Sequence, residues 1–299
     1  MTENEFLLCD RIQKIKSINE KYDLNKNAYL SFSGGKDSAA VFLLLNLALP
    51  NNTIPKVFIN TGLENPLIKK YVKEIANTFG NVVTVAPKRN IKEMLNTDGY
   101  PFKSKQHSIN VSVFQNSGYT KTVKKYLDEK LKGRYACPKI LREQFTENYK
   151  LKISAKCCKN LKKDVAKEYA TASGRFIVIT GMRAAEKGLR NNHTNCAVFD
   201  GEKLTKFHPL APMSDSFVNW LFEEFKFPLC DLYKPPYNFE RTGCCGCPLN
   251  RYLKQDLQKL IKFQPTVAKQ AYSIWRAVYD EYARLNYRID RALLSEIAT

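Results

Sequence analysis

Between a short apolar strand pattern at 28–33 (AYLSFS) and a helical run beginning at Lys36 lies the hexapeptide Ser33-Gly34-Gly35-Lys36-Asp37-Ser38. A strand that breaks on two glycines and re-forms as a helix aims backbone N–H groups and the positive helix end at one place, a geometry suited to phosphate. The glycines permit close approaches that a side chain would block. Lys36 adds a point charge, and Ser33 and Ser38 add hydroxyls; the bland alternative is an ordinary glycine-rich turn. The strand–helix unit recurs. Segments 56–60 (KVFIN) and 81–86 (NVVTVA) read as strands, and 66–79 and a short stretch near 91–95 read as helices. This spacing predicts βαβ units, hence an α/β fold with a Rossmann-like parallel sheet flanked by helices.

The pattern then loses its period. Residues 97–155 are polar, basic and aromatic, and read as an insertion with helices near 120–132 and 139–149. A helix near 157–173 and a strand at 175–180 (RFIVIT) restore the α/β pattern, followed by an amphipathic helix at 214–225 with Ser214 or Asp215 as its cap. Helices near 249–263 and 265–285 close the chain. The division expected is an α/β domain over 1–250, carrying the insertion, and a helical extension over 251–299.

Charge narrows the partners. The formal net charge is +19, and 121–168 hold fifteen Lys or Arg against six Asp or Glu. Such a field attracts anions, nucleotides and RNA included, although lysine-rich solvated helix faces give the same count. The longest apolar run, 39–49, is too short to span a bilayer and reads as a buried helix, so a cytoplasmic protein without a membrane partner is expected. Nine cysteines, an odd number clustered as CC and CCGC, argue for a metal or cluster site over a disulfide framework.

The hexapeptide lacks the Walker spacing and closely resembles the PP-loop of the adenine-nucleotide α-hydrolase superfamily, which includes ATP pyrophosphatases, tRNA-thiolating enzymes and sulfonucleotide reductases. The resemblance implies attack at or beside the α-phosphate of ATP or an adenylyl sulfate nucleotide. It also implies that Ser33, Gly34, Gly35, Lys36, Asp37 and Ser38 line the phosphates, with Asp37 alternatively helping to hold Mg²⁺. Phe58-Ile59-Asn60-Thr61-Gly62-Leu63-Glu64 resembles the DTGLE stretch of the phosphoadenosine phosphosulfate reductase family, where the strand end packs on adenine and ribose. Phe58, Asn60 and Thr61 are the implied contacts, with Asn60 in place of the usual Asp. The segment 180–186 (TGMRAAE) resembles that family's TGxRxxE, so Gly181 and Arg183 are assigned to the nucleotide, Arg183 forking onto an oxyanion. Arg190 is a weaker candidate of the same kind. His208-Pro209-Leu210-Ala211 resembles the family's PLxxWT stretch, with Met213 where Trp is usual. The implied fold is PP-loop/HUP-like.

Cys157-Cys158 and Cys244-Cys245-Gly246-Cys247 resemble the CC…CxxC pattern of adenosine phosphosulfate reductases, which implies Cys157, Cys158, Cys244 and Cys247 as ligands of a [4Fe–4S] cluster. Four thiolates also suit structural zinc, and uncoordinated thiols are the third reading. Cys245 is a spare ligand, a sulfur carrier or a small buried residue. Cys9, Cys196 and Cys230 read as half-buried fillers, and Cys137 as a turn residue with basic neighbours. His107 and His193 read as surface or hydrogen-bonding residues. The stripe of Trp275, Val278, Tyr279, Tyr282 and Leu285 reads as packing.

In the reductases the nucleophilic cysteine sits in a C-terminal tail, and no cysteine follows Cys247. The expectation is therefore an ATP-dependent sulfurtransferase: Lys36, Asp37 and Arg183 support adenylation of an acceptor oxygen, and sulfide displaces AMP. The alternatives are a sulfonucleotide reductase using Cys137 or Cys245, releasing sulfite, and a nucleotide-binding subunit of a DNA-modification or defence complex. Partners expected are an adenine nucleotide, an anionic acceptor such as tRNA or a carrier-bound substrate, a sulfur donor or reductant protein, and a second copy in a homodimer.

Overall fold

The computed structural model describes residues 1–130, 133, 136–184 and 195–298. Glu186, Arg190 and His193 lie outside the described residues. In chain order the elements begin α1 (Glu3–Tyr22), α2 (Leu24–Asn27), β1 (Ala28–Ser31), α3 (Lys36–Ala48), β2 (Lys56–Ile59), α4 (Pro66–Phe79) and β3 (Val82–Val85). There follow α5 (Ile91–Asp98), α6 (Lys105–Ser117), α7 (Lys121–Leu127), a 3₁₀ turn over Lys139–Phe145, a wide π-type turn over Lys159–Lys163 and α8 (Asp164–Ser173). The chain then forms β4 (Ile177–Ile179), β5 (Ala197–Asp200), β6 (Lys203–Phe207), α9 (Asp215–Glu224), α10 (Leu253–Phe263), α11 (Pro265–Arg284) and α12 (Arg291–Ala298).

These segments divide into two compact units that interleave in sequence: 1–60, 66–86 and 165–242 form the first, and 61–65, 87–164 and 243–299 form the second. The first unit holds one six-stranded sheet in the order β3-β2-β1-β4-β6-β5. All neighbouring pairs are parallel except β5 with β6. The fold is thus the α/β fold with a Rossmann-like parallel sheet that the strand–helix alternation predicts, in keeping with the PP-loop/HUP-like fold that the resemblance implies.

Its central strands are apolar on both faces, as parallel strands covered by helices must be. Ala28, Leu30, Ile177 and Ile179 have no exposed surface. Helix α3 is apolar all round and correspondingly buried, with Ala39, Val41, Phe42, Leu44 and Leu45 fully enclosed. Helix α4 buries one stripe, Ile68, Tyr71, Val72 and Ile75. Helix α9 starts on Ser214, whose Oγ accepts from the Phe217 N–H over 3.2 Å. Among the described residues no helix is long and apolar enough to cross a membrane.

The second unit is helical among the described residues. The helix expected at 120–132 ends at Leu127, and only a 3₁₀ turn forms within 139–149. Within the expected 157–173 helix, Lys159–Lys163 adopt the wider π-type turn. A buried polar chain crosses this unit. His107, fully enclosed, reaches Tyr126 Oη at 2.9 Å through Nδ1 and Gln144 Oε1 at 2.6 Å through Nε2. Burial holds its pKa down at about 4, so it stays neutral. The hydrogen-bonding expectation for His107 is met, while the surface alternative is corrected.

Candidate functional site

In a doubly wound sheet, ligands bind outside the carboxyl ends of the strands where the order reverses. Here the reversal lies between β1 and β4. The segment leaving β1 is the loop 33–38, and the segment leaving β4 carries Thr180 and Gly181.

The loop holds itself in shape. Ser38 Oγ donates to Gly35 O (2.8 Å) and accepts from the Ser33 N–H (3.2 Å), while Ser33 Oγ accepts from the Gly35 N–H (3.3 Å). Gly34 has a positive φ of 71°, and a Cβ there would lie 2.9 Å from Ile68 Cγ2. At Gly181 a Cβ would come within 2.6 Å of the Asp37 carbonyl carbon and oxygen. Only glycine lets the β4 end pass so close to the loop.

Several supports come from far along the chain. The Lys36 N–H donates to Tyr233 Oη (3.1 Å), whose hydroxyl donates to Thr242 Oγ1 (3.3 Å). The Lys36 ammonium, on the exposed side, reaches Asn219 Oδ1 at 3.1 Å. Sequence reasoning missed Tyr233, Thr242 and Asn219, because no spacing marks a contact across 183 or more residues.

Arg183 is buried, and its donors are engaged by protein groups. Nε donates to Asp37 Oδ1 (2.9 Å), Nη1 to Met213 O (3.3 Å) and Nη2 to Asp215 Oδ1 (2.6 Å). The fork that sequence reasoning turns toward an oxyanion is turned here toward two carboxylates and a carbonyl. The bond from Arg183, together with its charge, holds the Asp215 carboxyl below its ordinary range. Phe58 is enclosed within β2, and the Asn60 N–H continues the ladder by donating to Val85 O (2.8 Å).

The cysteines gather in the second unit. Cys157 is buried and Cys158 half-buried at the head of the π-type turn. The two thiols hydrogen-bond. That bond, assisted by Lys105, Lys162 and Lys163, holds Cys158 down at about 6, while the same bond and burial push Cys157 far above the usual thiol range. Cys157 also senses Cys247 and Cys244, so all four sulfurs share one neighbourhood. Burial pushes Cys247 up to about 12 and raises Cys244. Burial opposes the charge on Lys162, yet Cys244, Glu64, Cys158 and Cys247 hold its pKa above the ordinary value.

The segment 61–65 belongs here as well. Thr61, buried, bonds the Cys244 thiol through its side chain and donates to Glu64 through its N–H (2.9 Å) and hydroxyl (2.6 Å). Glu64 and Cys244 pair as an antiparallel bridge, and the Cys245 N–H donates to Leu63 O (2.7 Å). Thr61, assigned from sequence to the nucleotide, is therefore placed beside a cysteine. Among the described residues no three His, Cys, Asp or Glu side chains converge as ligands of a single ion. The all-thiol donor set suits a [4Fe–4S] cluster and a structural zinc alike by its chemistry.

The remaining cysteines separate clearly. Cys137 and Cys230 are buried and pushed up to about 11 by that burial. Cys196 is half-buried and accepts from Arg11 Nη1 at 3.2 Å. Cys9 is exposed on α1, which corrects its reading as a half-buried filler, and Cys230 is more enclosed than that reading had it.

A glycine-rich loop at the switch point of a doubly wound sheet defines a phosphate-binding α/β protein. The chain belongs to the phosphoadenosine phosphosulfate reductase domain family, whose pattern matches residues 27–250, and this membership places it among PP-loop-type enzymes. An uncharacterised protein of Methanocaldococcus jannaschii is 35% identical over 103 residues, 31% of this chain; the chain spans 25% of that relative's length. Phosphoadenylyl-sulfate reductase from Candida auris is 14% identical over 77% of this chain and 87% of that one, with a TM-score of 0.44. NH₃-dependent NAD synthetase from Campylobacter jejuni is 13% identical over 93% of this chain and 95% of that one (TM-score 0.41). The U34-tRNA thiolase of Methanococcus maripaludis, solved with its [4Fe–4S] cluster, is 14% identical over 93% and 79% (TM-score 0.42). Likenesses this distant carry no argument about the reaction.

Proposed function

We propose that the protein is an ATP-dependent sulfurtransferase that adenylates an acceptor oxygen and replaces that oxygen with sulfur. The observation that carries this reading is the separation among the thiols. Three sulfurs, Cys158, Cys244 and Cys247, act on Lys162 and Cys157 bonds Cys158, while Cys137, one of the two thiols a reductase could use, is buried and held protonated. A thiol with its pKa at about 11 offers little thiolate near neutrality.

The acceptor is a carbonyl or amide oxygen, which attacks the α-phosphorus of ATP as pyrophosphate leaves. Sulfide then attacks the activated carbon, and AMP departs carrying the former carbonyl oxygen. In sum, carbonyl, hydrogen sulfide and ATP give thiocarbonyl, AMP and pyrophosphate, with no net oxidation. Loop 33–38 and the α3 N-terminus bind the phosphates and Lys36 neutralises charge developing on the leaving pyrophosphate, while Asp37 would help to hold a Mg²⁺ that offsets phosphate charge. Arg183 acts by fixing Asp37 and hence the first turn of α3.

Cys157, Cys158, Cys244 and Cys247 would hold a [4Fe–4S] cluster, which when bound supplies a place to keep sulfide at the right oxidation level. Lys162 compensates the negative charge gathered there. The exposed lysines of α7, Lys121, Lys124 and Lys125, favour an anionic acceptor such as RNA.

Anaerobically reconstituted protein should carry about four irons and four sulfides per chain, and its ATP binding should be lost in Lys36→Ala. A wild-type chain that takes up no iron, or whose ATP binding ignores Lys36, would contradict the proposal.

A further inference from the structure

The aromatic stripe of α11 packs as read, and it also does something packing does not require. Trp275 Nε1 donates to Cys245 O (2.9 Å), Tyr279 Oη to Gly246 O, and Tyr282 Oη to Pro248 O (2.9 Å). Three polar tips on one helix face thus take three different carbonyls of the cysteine turn. Arg288 Nη1 adds bonds to Pro248 O (2.6 Å) and Asn250 O (3.2 Å). The Tyr282 hydroxyl itself accepts from the Lys103 N–H at 2.7 Å, which fixes its direction. Trp275, Tyr279 and Tyr282 are at most 1% exposed. Gly246 has a φ of 62°, and a Cβ there would strike the Tyr279 hydroxyl and lie 2.8 Å from Ala271 Cβ. The helix therefore rests against bare backbone.

The consequence lies in one peptide plane. A trans peptide points its carbonyl and its N–H in opposite directions. The plane joining Pro248 to Leu249 has its carbonyl held by Tyr282 and Arg288, and its N–H, on Leu249, bonds the Cys247 sulfur. An N–H aimed at a ligand sulfur withdraws charge from it, and such bonds are among the levers that set the potential of an iron–sulfur centre. Phenylalanine at 282 would fill the same space but leave the plane held from one side fewer.

We infer that Tyr282 and Arg288 are positioning residues which hold the Pro248–Leu249 peptide so that its N–H bonds Cys247, and thereby set the potential and retention of the cluster proposed at that site. Trp275 and Tyr279 hold the Cys245–Gly246 and Gly246–Cys247 peptides by their carbonyls. These side chains lie beyond the residues matched by the family. The inference rests on the cluster reading above.

The test compares wild type, Tyr282→Phe and Tyr282→Phe with Arg288→Met after anaerobic reconstitution. Midpoint potential is read by spectroelectrochemical titration, iron loss by challenge with a chelator, and Leu249 amide exchange on the iron-free chain. Loss of the donors is expected to move the potential to more negative values, to speed iron loss several-fold, and to speed Leu249 exchange several-fold, with an unchanged far-ultraviolet dichroism spectrum. The double variant is expected to exceed the single one. Should the double variant not fold, Tyr282→Phe alone, which keeps the ring and the Arg288 bond, is read the same way. An unchanged potential and unchanged Leu249 exchange overturn the inference while leaving the cluster intact. A wild-type chain that binds no iron overturns the cluster reading and takes this inference with it.

Discussion

Arg183 and Asp37 meet through a 2.9 Å bond from Nε to Oδ1, which ties the segment after β4 to the first turn of α3. The arginine is buried, while its second carboxylate partner, Asp215, is 69% exposed. Removing a buried cation strands its partners, at a cost of about 3–5 kcal/mol for a fully buried pair, whereas an exposed pair contributes about 0–1 kcal/mol. Asp37 is only partly shielded, so Arg183→Met is expected to lower stability by about 2–4 kcal/mol and Asp215→Asn by less than about 1 kcal/mol. Urea unfolding of the two variants checks the order. Equal losses would mean that the Asp37 bond is not the one that matters.

Gly181→Ala probes the same contact sterically. Its Cβ would sit 2.6 Å from the Asp37 carbonyl, and backbone cannot swing aside as a side chain can. A destabilisation of about 1–3 kcal/mol should accompany at least a tenfold loss of ATP affinity. Gly243→Ala, with nothing within 4 Å of the added carbon, is the control and should change neither. Calorimetric titration with ATP reads the outcome.

Lys56 predicts a pH dependence. It is 2% exposed, donates to Asn52 Oδ1 at 3.1 Å and lies over the Phe42 ring, and burial lowers its pKa to about 8. The unfolded lysine titrates near its ordinary value of about 10.4. Between these two values the unfolded chain binds more protons, so stability rises with pH across that window, and below 8 the burial penalty is fully present. Lys56→Met should therefore stabilise the protein at pH 7, on the order of 1–2 kcal/mol after loss of the Asn52 and Phe42 contacts. The advantage should shrink as pH rises toward 10. A difference between variant and wild type that is constant with pH would refute this account.

Cys137 is one of the two thiols on which a reductase could depend. Its thiol is enclosed beside Tyr126 and Lys103, with burial pushing it up to about 11. Cys137→Ser is expected to keep at least half of the wild-type turnover, whereas Cys158→Ser or Cys247→Ser should lose both iron and turnover. Abolition of turnover by Cys137→Ser with iron retained would restore the reductase reading.

Much of this was legible in the sequence because it is local. Two glycines between an apolar strand and a helix have few outcomes, and α4 runs over Pro66–Phe79 as its period predicts. Strand β6 was not legible. Lys203 and Lys206 give KLTKF the look of a loop, yet Leu204 and Phe207 are fully enclosed and β4 takes the strand as a parallel neighbour. Helix α1 escaped too, although Thr2 and Glu5 form a capping box, with the Glu5 carboxylate accepting from the Thr2 N–H (2.6 Å). The cysteine pairs announced themselves by spacing. Their setting did not: Thr61 beside Cys244, and the donors of α11 on the turn, are long-range contacts no period encodes.

The most direct test of the account is product identity. Anaerobic protein is given either ATP with sulfide and a small-RNA fraction as acceptor, or an adenylyl sulfate nucleotide with a thiol reductant, and Lys36→Ala is run beside each. Pyrophosphate, AMP and sulfite are then quantified. The account predicts equal amounts of pyrophosphate and AMP from ATP, dependent on Lys36, and no sulfite from the sulfonucleotide. Sulfite release that depends on Lys36, without pyrophosphate from ATP, would contradict it.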